Sequence, residues 1–78
     1  MKSEKELFNL AKMYATLEMD FENGLVTEFE MDEFKENMNE IRDVLLVKKY
    51  DIDKFLKYKQ LYKEMSVAEY FEFIKTLD

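Results

Sequence analysis

The sequence predicts an all-α fold, a small antiparallel bundle of three main helices and a shorter fourth, built as one domain over residues 1–78. Three observations predict it. The chain has no proline and one glycine, so little interrupts a helix. Apolar residues recur at spacings of three and four along most of its length. Three of these runs open with a serine or threonine followed three residues later by glutamate, the pattern of a helix capping box, at Ser3, Thr27 and Ser66.

The first helix is predicted over residues 3–21 and the second from Thr27 to the pair Lys48 and Lys49. A chain reversal at Asn23-Gly24 should separate them, because both residues tolerate a positive φ. The apolar face of the first helix consists of Leu7, Leu10, Ala11, Tyr14, Leu17 and Phe21. That of the second consists of Met31, Phe34, Met38, Ile41 and Leu45.

The third and fourth helices are predicted from their caps and their apolar periods. Asp51 or Asp53 can cap the third helix, and Ser66 opens the fourth. The third carries Ile52, Phe55, Tyr58, Tyr62 and Met65, and the fourth carries Val67, Tyr70, Phe71, Ile74 and Leu77. The short connections favour antiparallel packing of consecutive helices.

The composition excludes several kinds of chemistry. Without histidine or cysteine, the chain lacks the commonest metal ligand, the usual acid–base group near neutral pH and any thiol. Gly24 stands alone, so no glycine-rich loop can hold phosphate, and it lies out of register with the acids that a calcium loop would need. We therefore expect no enzyme, no cofactor and no metal site. The longest apolar run, residues 44–47, is too short to span a membrane, and no export signal is evident, so we expect a cytoplasmic protein.

Direct nucleic-acid binding is not expected either. Residues 48–63 contain six lysines against two aspartates, but their aromatic residues fall at helical spacing and fit a core better. The chain contains a single arginine, Arg42, and its net charge of −6 repels nucleic acid and anionic lipid at long range.

Acidic residues dominate the first half of the chain. No basic residue occurs between Lys12 and Lys35, and Glu18, Asp20 and Glu22 crowd the end of the first helix, where the helix dipole disfavours negative charge. Nothing nearby in the sequence compensates them. A local rule broken without visible gain is often broken for function, so these three acids are candidate partner-binding residues.

The second helix adds a row of carboxylates opposite its apolar face. We call this row the acidic stripe; it consists of Glu28, Asp32, Glu36, Glu40 and Asp43. Its members rise by about 6 Å per step, whereas one DNA strand carries a phosphate about every 3.4 Å. Together with the three acids of the first helix, the stripe approaches that density. A solvated helix face remains the alternative interpretation.

A second candidate contact surface lies near the C-terminus. Tyr70, Phe71, Phe73 and Ile74 cannot all face one side of a helix, which predicts an exposed aromatic patch. Such a patch could contact a partner or a second copy of the chain as a homodimer.

Two functions fit these surfaces. Small acidic helical proteins of this kind resemble, in kind only, the inhibitors that phages and mobile elements use against host machinery, such as anti-CRISPR and anti-restriction proteins, some of which mimic DNA. A composition rich in Lys, Phe, Tyr, Met and Asn is typical of AT-rich genomes. The first hypothesis is an inhibitor that occupies the basic surface of a nucleic-acid-binding protein. The alternative is a regulatory, immunity-like or structural helical module that docks through the C-terminal aromatic patch.

Overall fold

A computed structural model describes residues 3–77; positions 1, 2 and 78 of the predicted domain lie outside the described residues. The predicted all-α fold is confirmed. Four helices follow one another, and no strand occurs between residues 3 and 77. They are α1 (Glu4–Glu22), α2 (Met31–Val47), α3 (Ile52–Glu64) and α4 (Val67–Thr76), with a single 3-10 turn at Glu28–Glu30 before α2.

The helix starts follow the predicted caps except at Thr27 and, in part, at Ser3. Ser66 and Glu69 form a complete capping box at α4, and Asp51, rather than Asp53, caps α3. Thr27 makes no capping hydrogen bond to the backbone; its hydroxyl donates to the Glu30 carboxylate, and the chain takes a 3-10 turn before α2 begins at Met31. The predicted start of the second helix is therefore early by one turn.

The N-terminus of α1 uses half of its capping box. The Ser3 hydroxyl accepts from the backbone N–H of Glu6, but the Glu6 carboxylate accepts from the Tyr50 hydroxyl and from Lys48 at 2.9 Å. These hydrogen bonds, that from Tyr50 first, lower the pKa of Glu6 below its ordinary value. Because Tyr50 is buried in the α2–α3 connection, Glu6 ties that connection to the start of α1.

Helix α1 is the centre of the fold. It packs most closely on α3, where Ala11 and Ala15 are fully buried and their small side chains allow close approach. The main core joins three helices and the α2–α3 connection through Leu7, Ala11, Tyr14, Ile41, Leu45, Tyr50 and Phe55. Arg42 of α2 donates two hydrogen bonds to the Tyr14 hydroxyl at its edge.

Contacts between side chains give the direction of each helix. Phe21 stacks on Phe34 at one end of α2 while Glu6 meets Lys48 at the other, so α1 and α2 are antiparallel. Tyr62 near the end of α3 contacts Tyr70 near the start of α4, and the earlier Tyr58 contacts the later Phe73, so α3 and α4 are also antiparallel. The bundle is flattened, with extents of 38 × 31 × 16 Å. Only two residues of α2, Ile41 and Leu45, are buried, so most of this helix stays accessible.

Candidate interaction surface

The acidic stripe lies on the open side of α2. All five of its carboxylates are exposed, and within residues 3–77 none of them forms an ion pair with a lysine or arginine. Glu28 belongs to the 3-10 turn rather than to the helix, so four members, Asp32 to Asp43, stand on α2 itself. The buried residues of α2 are Ile41 and Leu45, whereas the four acids of the stripe that stand on this helix are exposed.

Glu18 is not the uncompensated acid that its sequence neighbourhood suggested. Its Oε1 atom lies 3.2 Å from the ammonium nitrogen of Lys59 and 3.1 Å from that of Lys63, both on α3. Lys59 also donates a hydrogen bond to Oε2 of the same carboxylate at 3.3 Å. Burial raises the pKa of Glu18, but the two lysines lower it by more, and the net pKa is below its ordinary value.

Glu22, like Glu18, lies against α3. Glu22 also turns towards α3, with its carboxylate 3.8 Å from the Lys63 nitrogen, and Asp20 is half-buried. Glu18 and Glu22 are therefore directed at the lysines of α3 and not at the acidic stripe. The expected density of charge, comparable to a DNA strand, therefore receives no contribution from Glu18, which is paired with two lysines, and little from Glu22.

The C-terminal aromatic patch is mostly an internal contact. Phe8 of α1 is buried and meets the rings of Tyr70 and Phe73 with centroids 6.1 and 4.8 Å away. Tyr70, Phe73 and Ile74 are half-buried, and only Phe71 of the four is exposed. The expectation of an exposed patch is thus wrong for three of its members, because these side chains hold α4 against α1 and α3.

An apolar groove between α1 and α2 was not anticipated. It has a volume of about 520 Å³, and Glu40 is the member of the acidic stripe that lines it. We call it the α1–α2 groove; it is lined by Leu10, Lys12, Met13, Thr16, Leu17, Asn37, Glu40, Ile41 and Val44. The sequence feature that could indicate this groove is a pair of apolar residues, Met13 and Val44, that are not members of the predicted apolar faces of their helices.

Other exposed apolar residues gather where α2 meets α3. Leu46 at the end of α2 lies near Ile52 and Leu56 at the start of α3, and all three are exposed. Part of this corner forms a shallower groove of about 350 Å³ over Tyr14 and Phe55. This corner carries no member of the acidic stripe.

The described residues offer surfaces rather than a reaction centre. Among residues 3–77, no three carboxylates come together as a metal site would require. No described helix combines the length and the apolarity needed to cross a membrane. Comparison with protein-family models, with curated proteins and with solved structures finds no match for this chain.

Proposed function

We propose that this chain is a small binding protein that blocks a nucleic-acid-binding protein by occupying its basic surface, as inhibitors of the anti-restriction or anti-CRISPR type do. The observation that carries the proposal is the acidic stripe, whose carboxylates are exposed and paired with no described base. Carboxylates left unpaired in this way are available to a basic partner.

The pairing elsewhere on the surface supports this assignment. Three of the four lysines of α3 form ion pairs with α1: Lys54 with Glu4, and Lys59 and Lys63 with Glu18. Charge is therefore balanced across the α1–α3 interface, and the negative excess is concentrated on α2. The rise of about 6 Å between its acids is wider than the phosphate spacing of one strand, so the proposal rests on charge and not on a copied spacing.

The alternative is a helical module that docks through its C-terminal aromatic patch. Of the four residues of that patch, Phe71 is the one that is exposed. No other observation favours it, since the neighbouring rings pack on Phe8.

The experiment compares two triple variants of equal charge change. One neutralises the acidic stripe with Asp32→Asn, Glu36→Gln and Asp43→Asn; the control carries Asp53→Asn, Glu64→Gln and Glu72→Gln on α3 and α4. The chain is used to capture proteins from a bacterial lysate, and bound proteins are displaced with duplex DNA. We expect displacement by DNA, a drop in capture of tenfold or more between low and physiological salt, and loss of capture in the stripe variant alone. Equal capture by both variants, or capture insensitive to salt and DNA, would contradict the proposal.

A further inference from the structure

The α1–α2 groove is an unfilled position of the bundle. Helices α3 and α4 both pack on the other side of α1, through residues such as Glu4, Phe8 and Glu18. On the groove side, Met13 is 48% exposed although it borders buried Ile41. Two antiparallel helices with an apolar channel between them offer the seat that a further helix occupies in a bundle.

The dimensions of the groove suit one helix of moderate length. Its lining runs from Leu10 to Leu17 on α1 and from Asn37 to Val44 on α2, seven residue steps on each. At ~1.5 Å per residue this is about 10 Å, or two helical turns. Apolar side chains at positions i, i+4 and i+7 of an incoming helix cover the same length, and the volume lies within the range of roughly 300–1,000 Å³ of ligand pockets.

Charge around the groove selects the incoming helix. On α2 the groove is bordered by Glu40, and the acidic stripe continues along the same helix. The one basic residue in the lining, Lys12, is drawn towards α4: its ammonium nitrogen donates to the Tyr70 hydroxyl at 2.8 Å and lies 4.5 Å from that ring's centroid. An occupant with lysine or arginine along one edge would therefore meet carboxylates on α2.

We propose that the α1–α2 groove binds an amphipathic helix of the partner protein, with its apolar face in the groove and its basic edge against Glu40 and the acidic stripe. This rests on the proposed function and specifies the element of the partner that is recognised. Apolar contact supplies the affinity, and the carboxylates fix the orientation and speed the encounter.

The test uses a synthetic helical peptide of about 15 residues, with leucine at i, i+4 and i+7 and lysine along one edge. A second peptide has the same composition with leucine and lysine in scrambled order. Binding to the full chain is measured by calorimetry, and amide chemical shifts map the contact. We expect the amphipathic peptide to bind at least tenfold more tightly than the scrambled one and to shift the amides of Met13, Leu17, Ile41 and Val44.

Matched variants separate the groove from general surface effects. Met13→Gln removes an apolar side chain from the groove, and Leu46→Gln removes one that is 68% exposed outside it. We expect Met13→Gln to weaken the peptide roughly three- to tenfold and Leu46→Gln to change it by less than about twofold. Glu40→Gln should weaken binding about two- to fivefold at low salt, and Glu64→Gln should leave it unchanged. All four positions are exposed, so circular dichroism should report unchanged helicity.

Several results would overturn the proposal that the α1–α2 groove binds a partner helix. Equal binding of both peptides, shifts confined to the α2–α3 corner, or equal effects of Met13→Gln and Leu46→Gln would overturn it. A dimer in sedimentation that Met13→Gln dissociates would also overturn it, since a second copy would then fill the groove. If the peptide fails while duplex DNA still displaces captured proteins, the groove inference falls and the proposed function stands. If the peptide binds in the groove while DNA-displaceable capture is absent, the proposed function falls instead.

Discussion

The carboxylate of Glu18 is held between two lysines at the interface of α1 and α3. Its side chain is 25% exposed, and those of Lys59 and Lys63 are 18% and 20% exposed, so all three charges are partly removed from water. Removing Glu18 takes away the carboxylate that Lys59 and Lys63 share and leaves Lys63 only its 3.8 Å contact with Glu22, which costs more than the intact contact contributes. Glu18 therefore acts as a structural residue and not as a free member of a binding face.

We expect Glu18→Gln to lower the free energy of unfolding by about 1–2 kcal/mol at pH 7, because two half-buried lysines lose their shared partner. The folded-state pKa of Glu18 lies below its ordinary value of 4.5, so the stabilising contribution is present above that pH and is lost as the pH falls below it. The difference between wild type and variant should accordingly shrink below pH 4.5. Urea unfolding from pH 7 to pH 3 measures it.

Glu22→Gln is the matched control, because Glu22 is 64% exposed and 3.8 Å from Lys63. It should change the free energy of unfolding by less than about 0.5 kcal/mol. A gain in stability on neutralising Glu18, which the helix dipole alone would produce, would contradict the assignment of Glu18 to the lysines.

This residue also marks the limit of what its local sequence could reveal. The unfavourable position of Glu18 near the end of α1 is visible from the sequence, but its partners lie 41 and 45 positions further along the chain. Periodicity places Glu18, Lys59 and Lys63 on helices without saying how the helices are rotated against each other. The register of α1 against α3 decides the pairing, and that register depends on the packing around Ala11 and Ala15.

At the scale of the element, the helices were predictable because their signals are local. Ser3, Asp51 and Ser66 each cap a helix as expected, and Gly24 ends α1 with φ +70°. There the N–H of Leu25 reaches the carbonyl of Asp20, and that of Gly24 reaches Phe21, the hydrogen-bond pattern of a Schellman motif.

Helix α2 ends with the same pattern and no glycine. The backbone N–H of Tyr50 donates to the carbonyl of Leu45, and that of Lys49 donates to the carbonyl of Leu46. Lys49 adopts a φ of 57°, a left-handed conformation that is unfavourable for a residue with a Cβ. From the sequence, Lys48 and Lys49 indicate a helix end because cations are favourable there, but that signal does not show that Lys49 takes a left-handed conformation.

We expect Lys49→Gly to raise the free energy of unfolding by about 0.5–1 kcal/mol, because glycine adopts the left-handed conformation without penalty. Gly24→Ala should lower it by about 1 kcal/mol; apart from the neighbouring residues in the chain, no described atom lies within 4 Å of the added Cβ, so the cost comes from the backbone alone. Thermal unfolding of the two variants tests the pair. Shifts of the same sign would contradict this account of the helix ends.

At the scale of the whole molecule, the four helices are unequally anchored. Helix α1 contributes five buried residues, α2 two, α3 one and α4 none. Helix α4 is held instead by rings around Phe8 and by the hydrogen bond from Lys12 to Tyr70. The number of helices was predictable, but the use of the C-terminal rings was not, because an apolar run looks alike whether it meets its own chain or a partner.

We therefore expect Phe8→Leu to loosen α4 before the rest of the fold. The substitution keeps an apolar side chain but removes the ring that meets Tyr70 and Phe73, and such a change in a packed site costs about 1–2 kcal/mol. A chain of 78 residues has a total stability of only roughly 4–12 kcal/mol, so a local loss of this size is visible in the native state. Amide hydrogen exchange should show the protection of Val67–Thr76 falling further than that of the α1–α3 interface. Uniform loss of protection across all four helices would mean that α4 unfolds only together with the central core.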